Sequence, residues 1–394
     1  MKGRKLFIME EDKNIADSIF KERRNEIHIQ LEETESLINQ CDEKNAIAYI
    51  SKSELEELCS LLEKDELTHS NDMVFDLIID YAKKEIEDER LLELINNLKI
   101  GNVDEKDIFI GRAYPKYYDN SYYIEISRKM DHQIRLLSDV WASYYMIDKS
   151  HLSAEKQLFT KLLQINLQRF QTASDETKEY NEIQYDMAQY EKSGNNFTDV
   201  YITYSREINE IALATLIGHE IGHHYLGHTD SDNENSENAK IKELKADEFG
   251  IEFAFRYLES AYSNDTSSYS IHQLVAIYVP LIVSVQMVGK SEFNIFKDQK
   301  EHPAIIKRIA KINLTLSKVL DNVKFINVKK NVHKLFTLLK MKDIYIISEK
   351  IANEIEQKLT TDIPQNKNCK LRSNGMPVPL LRNGYSIFNG TKYR

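Results

Sequence analysis

Helix breakers and cysteines are scarce in this sequence. Its 394 residues hold 12 Gly, 6 Pro and 3 Cys, and so few breakers make a mainly helical chain the default reading. Cys41, Cys59 and Cys369 are widely spaced, odd in number and form no CxxC. That excludes a disulfide framework and a cysteine zinc cage, and it suits a reducing compartment. Positive charge is also in deficit: 52 Lys+Arg face 63 Asp+Glu, a net charge of −11. Bulk nucleic-acid binding needs a basic footprint and is not expected. Long apolar runs are missing too. The most apolar segment, Leu274 to Val288, is interrupted by Pro280, Ser284 and Gln286 and is too short to span a bilayer. Leu6 to Met9 is too short for the core of a signal peptide. The expectation is a cytoplasmic protein with neither nucleic acid nor membrane as partner. With 42% hydrophobic and 29% charged residues the chain has the material for a packed body.

The first hundred residues carry one Gly and no Pro, with apolar residues at helical spacing such as Leu55, Leu58, Leu61, Leu62 and Leu91, Leu94, Ile95, Leu98. Helices are expected up to Lys99-Ile100-Gly101-Asn102, where Gly is placed to stop one. Asp107 to Ser127 is rich in Tyr, Ile and Phe, and Tyr122 to Ile126 reads as a strand. Helical spacing returns from Arg128 to Tyr190. Val200 to Tyr204 alternates β-formers and reads as a second strand, with a long helix from about Ile208. Further helices are expected over Ala239–Ser260, Ile271–Val288, Pro303–Val319 and Asn331–Lys358. From Pro364 to Arg394 the chain has six basic and no acidic residues, with an Asn383-Gly384 hairpin signal, so the body before it carries −11 − 6 = −17. The division expected is 1–105 helical, 106–312 catalytic, 313–362 helical and 363–394 a basic tail, in a mainly α (α+β) fold.

Chemistry concentrates in His219-Glu220-Ile221-Gly222-His223. Histidines four apart lie on one helix face and can bind one zinc ion, with Glu220 beside them as general base. A catalytic zinc takes three protein ligands. The best third ligand is Glu243, with Asp247 one turn further along the same face to hydrogen-bond a ligand histidine. Asp230, Asp232, Glu234 and Glu237 compete for that place but lack such a partner. His224 and His228 sit next to the motif; His224 points away from the metal face and reads as a packing or hydrogen-bonding residue.

His219-Glu220-x-x-His223 followed by Glu243-x-x-x-Asp247 resembles the glutamate-liganded zinc metallopeptidases, the gluzincins. The metzincin pattern, which needs a third His where this chain has Thr229, does not fit. With the later His302-Pro303 and Arg308-Ile309, the chain resembles soluble relatives of the CAAX-prenyl-protease/heat-shock peptidase group and the phage-exclusion Lit-type peptidases. The resemblance covers about residues 195 to 312. It implies a zincin-like core with a small β-sheet and one catalytic Zn²⁺ on His219, His223 and Glu243. Glu220 would be the base, and His302 or Arg308 the donor to the oxyanion; for His302 a plain helix-start role before Pro303 stays open. It also implies an edge strand for extended substrate, for which Val200–Tyr204 is in place, a buried strand being the alternative. The function expected is zinc-dependent hydrolysis of a protein substrate. The alternatives are a trigger-dependent regulatory or phage-defence protease, with a trigger or inhibitor protein as partner, and a zinc-stabilised interaction module without turnover. Tyr114, Tyr117, Tyr118, Tyr122 and Tyr123 read as half-buried sheet residues or a groove lining, and Lys324 to Lys342 as a solvated helix face.

Overall fold

The computed structural model describes residues 16, 72–103, 111–114, 121–150, 152–174, 179–180, 182–183, 187, 197–229, 236–262, 269–287, 295–299 and 302–361, the last few by backbone alone. The cysteines, Tyr117, Tyr118, Asp230, Asp232, Glu234, the side chain of Glu237 and the tail hairpin lie outside the described residues. The fold is mainly helical with one small sheet, as expected.

Asp72 and Asp88 start the first two helices, α1 (Met73–Lys84) and α2 (Glu89–Asn96), by accepting from the backbone N–H of Val74 and Leu91. Three strands follow: β1 (Leu98–Val103), β2 (Gly111–Ala113) and β3 (Tyr122–Ser127). Their order is β1-β3-β2, with β1 parallel and β2 antiparallel to β3, so β2 is an edge. The segment around Lys99–Asn102 is therefore a strand and no helix end. Gly101 serves sheet packing there, because a Cβ would collide with the Tyr123 hydroxyl.

From Ser127 the chain enters α3 (Arg128–Lys149), then α4 (Ser153–Thr172), α5 (Phe197–Tyr225) and α6 (Ser236–Ala261). Helices α7 (Ile271–Ala276), α8 (Val279–Met287), α9 (Ile305–Val319), α10 (Asn322–Leu338) and α11 (Lys342–Thr361) complete the described chain. Among the described residues no helix is long and apolar enough to cross a membrane.

Helix α5 is the central beam. It packs on α6 most extensively and also touches α1, α3, β2, β3, α7 and α8. Ile208, Ile211, Ala212, Leu213, Ala214, Ile217 and Ile221 bury its inner surface. The expected strand at Val200–Tyr204 is its first turns instead, and the helix does not begin at Ile208. Tyr201 is buried and accepts from Asn166 Nδ2 at 3.1 Å, while Ser205 one turn on donates to Asp139 at 2.6 Å. Asp139 also pairs with buried Arg169 at 3.1 Å. This polar network joins α3, α4 and α5 only if 201 and 205 share a helix face, and it overrides the local β propensity.

Two other expected helices are divided. Ile271–Val288 breaks at Ile277–Tyr278, which puts Pro280 in the first turn of α8, where its missing N–H costs nothing. Asn331–Lys358 breaks at Lys340, whose φ of 59° reverses the chain between α10 and α11.

Candidate active site

Helices α5 and α6 pack against each other through glycines beside the histidine motif. A Cβ on Gly250 would stand 2.5 Å from the Thr215 carbonyl oxygen and 3.1 Å from the His219 nitrogen. On the other helix, a Cβ on Gly218 would collide with Phe253. The glycine pair thus sets the distance across which side chains of one helix meet those of the other.

Into that gap the sequence places its three donors. His219 Nε2 and His223 Nε2 are 3.2 Å apart. Glu243 from α6 brings Oε1 to 3.3 Å from His223 Nε2 and Oε2 to 3.7 Å from His219 Nε2. Donor atoms about 2.0–2.2 Å from one tetrahedral centre stand roughly 3.3–3.6 Å from each other. The observed separations of 3.2, 3.3 and 3.7 Å bracket that figure, the two from Glu243 being made by different carboxylate oxygens, so this buried group of two imidazoles and a carboxylate could bind a metal.

Behind the donors stands a second layer. Asp247 Oδ1 lies 3.0 Å from His219 Nδ1, so the carboxylate holds the proton on that nitrogen and leaves Nε2 with its lone pair. Arg308 from α9 in turn clamps Asp247, donating from Nε at 2.9 Å and from Nη2 at 2.6 Å. Its Nη1 is 3.8 Å from Glu243 Oε2. With two donor nitrogens committed to Asp247 and the side chain largely buried, Arg308 sits behind the donors. His302 lies on the open side. Its ring is 55% exposed, with Nδ1 3.4 Å from Glu243 Oε2.

Glu220 is buried and faces the sheet. A Cβ on Gly111 of β2 would come within 2.5 Å of its Oε1, and the Ala113 N–H donates to its carboxylate. That donation follows from strand geometry. Tyr114 N–H bonds to the Tyr123 carbonyl, so Gly111 and Ala113 turn their own backbone groups to the open edge of β2. Neither residue stands out in the sequence. The β-rich composition of Asp107–Ser127 and the lone Gly111 were the only signals.

The charges reflect this packing. Burial pushes Glu220 up to about 7, with Glu243 adding to the rise and His219 opposing it. Burial and the neighbouring His219 lower His223 to about 3. Burial would raise Glu243, but His302, His223 and Arg308 hold it well below the usual carboxylate range. Asp247 is likewise held at about 2, because the Arg308 charge and the bonds from His219 and Arg308 outweigh burial. His219 is raised: its burial is more than offset by Asp247. The site therefore holds an ionised Glu243–Asp247–Arg308 frame around a Glu220 poised near neutrality.

The neighbouring histidines are also placed. His224 is buried on the sheet side, its ring edge-on to Tyr122 and its Nδ1 3.3 Å from Thr229 Oγ1. His228 lies just past the end of α5 against His223. Tyr114 and Tyr123 pack in the sheet, and the Tyr114 hydroxyl donates to buried Glu125 at 2.5 Å.

A family model described as Peptidase U49 matches residues 137–326. The match supports a peptidase. It spans a little under half of the chain, from within α3 into α10, and takes in all of His219, Glu220, His223, Glu243, Asp247, His302 and Arg308. The strand that carries Gly111 lies outside it. No curated protein and no solved structure matches the chain.

Proposed function

We propose that this protein is a zinc-dependent endopeptidase acting on a protein substrate in the cytoplasm. The observation that carries the reading is the convergence of His219, His223 and Glu243 on one point, with Glu220 between that point and the edge of β2. A zinc ion held by these three side chains would supply Lewis acidity, making a water easier to deprotonate and a peptide carbonyl easier to attack. Glu220 takes the proton of the attacking water and delivers it to the departing amine nitrogen, a shuttle for which a carboxyl near 7 is suited in both directions. The Ala113 N–H aims the carboxylate and limits its rotation.

The outward backbone groups of β2 give an extended substrate a place to pair, so β2 takes the role that the sequence had offered Val200–Tyr204. Of the two oxyanion candidates His302 is the better placed, being exposed beside Glu243, while Arg308 is engaged by Asp247. Arg308 and Asp247 fix the His219 ring.

The test is Glu220→Gln in a purified, zinc-supplemented protein. Unchanged zinc stoichiometry with hydrolysis of a quenched peptide library lowered by about 10²–10⁴ is the expected result for loss of a general base. Retained hydrolysis would refute the assignment. Zinc bound with no hydrolysis even by the unaltered protein would point to an interaction module, or to a protease that waits for a partner.

A further inference from the structure

Helix α5 ends in a turn that returns a side chain to one of its own metal-facing histidines. Gly227 has φ 70°, the left-handed conformation that glycine adopts freely. Around it the Gly227 N–H donates to the His224 carbonyl at 3.1 Å, and the His228 N–H to the His223 carbonyl at 2.8 Å. This pair of bonds is the Schellman motif, in which the residue after the left-handed glycine packs against the residue five before it. That contact is usually between apolar side chains. Here it joins His228 to His223, with Nδ1 of each ring 3.1 Å from Nδ1 of the other and the rings edge to face. The turn is also anchored from α6, where Lys242, next to Glu243, donates to the His228 carbonyl at 3.3 Å.

The proton arithmetic allows one assignment. His223 Nε2 faces His219 and Glu243 and must keep its lone pair to bind a metal. The proton of the neutral ring then sits on Nδ1, and its partner at 3.1 Å must be an acceptor. We infer that His228 is a positioning residue: its Nδ1 accepts from His223 Nδ1–H and holds that ring in the metal-binding tautomer, as Asp247 does for His219. The inference rests on the metallopeptidase reading above. It gives each ligand histidine its own partner, an anionic one reached across helices and a neutral one reached through a helix cap. It also gives a reason for a histidine directly after the capping glycine, a place usually held by an apolar residue.

Zinc affinity measured by competition with a chromophoric chelator tests this without any need for turnover. The variants are His228→Leu, His228→Asn, His228→Gln and, as a control, His223→Ala. The Asn carbonyl oxygen and the His Nδ1 are both bonded to Cγ, so Asn can restore the acceptor while Gln puts its amide one atom further out. Loss of an outer partner of a ligand histidine typically weakens metal binding by about 10- to 100-fold. That loss is expected for His228→Leu and His228→Gln, with His228→Asn close to wild type. Should the Leu variant not fold, Asn against Gln decides. Leu binding zinc as tightly as wild type, or Asn no better than Gln, would overturn the role of His228 while the His223→Ala control still loses zinc. If wild type binds no zinc, or His223→Ala binds it equally well, the metal site itself fails and the inference with it.

Discussion

Replacing Gly250 by Ala sets two physical effects of opposite sign against each other. In a helix interior, Gly→Ala stabilises by about 1 kcal/mol through backbone entropy. Against this, the new methyl would lie 2.5 Å from the Thr215 carbonyl oxygen of α5. A carbon and a carbonyl oxygen in comfortable contact are about 3.3–3.6 Å apart, so the helices must part by roughly 0.8–1.1 Å. The obstacle is backbone and cannot swing aside, which places the cost in the upper part of the ~1–3 kcal/mol typical of overpacking. The net expectation is a loss of ~1–2 kcal/mol, or a fall in Tm of ~2–8 °C for a domain of this size. Zinc affinity should fall in parallel, because the 3.7 Å between His219 Nε2 and Glu243 Oε2 is already at the long end for one tetrahedral centre. Thermal unfolding without metal and chelator competition with it measure the two effects. A Tm that stays level or rises would mean that propensity decides and that α5 and α6 do not meet at this glycine as described.

Gly111→Ala should displace the Glu220 carboxylate, 2.5 Å from the added Cβ, and lower kcat by about 10²-fold while zinc affinity stays unchanged. Equal losses in both would place Gly111 in general folding instead. Arg308→Met leaves Asp247 buried without its cation and should cost ~3–5 kcal/mol in denaturant unfolding, part of which a second change, Asp247→Asn, restores. Strict additivity of the two would refute the clamp. Asp131, half-buried beside Asp72 and bonded by Asn102 Nδ2 at 3.2 Å, is pushed up to about 7 by burial and by the Asp72 charge, against Arg128 and Arg135. Its folded value is above the ordinary carboxylate value, so the contribution of Asp131 to stability should decline as the pH rises from ~4 to ~7, by on the order of a few kcal/mol. Asp131→Asn should flatten that decline and be the more stable protein at pH 8; a parallel pH profile would disprove it.

The sequence was most readable where a chemical requirement and a helical period coincide. His219 and His223 share a face because they are four apart, and Glu243 and Asp247 do so for the same reason, so both pairs could be placed before any fold was known. Tyr122–Ile126 was readable because its aromatic and β-branched residues follow the turn formers Asp119-Asn120-Ser121. Val200–Tyr204 has similar composition but lies in α5, since Tyr201 and Ser205 answer to Asn166 and Asp139 on two other helices. No local pattern encodes partners 35 and 66 residues away. The edge position of β2 was hidden for a related reason. Three residues hold too little pattern to read, and their meaning comes from which carboxylate stands opposite.

Arg308 clamps Asp247 across 61 residues of chain, whereas the converging side chains of His219, His223 and Glu243 arrive on two consecutive helices. At ~5–20 residues per second, synthesis leaves an interval of roughly 3–12 s between the two events. During it α5 and then α6 are completed, but Asp247, which bonds the His219 ring, has no cation behind it. A hydrolytic centre assembled in this order stays incomplete on the growing chain and matures only once α9 has docked. Chains stalled at residue 290 lack both Arg308 and His302 and should fail to hydrolyse peptides that released chains cut.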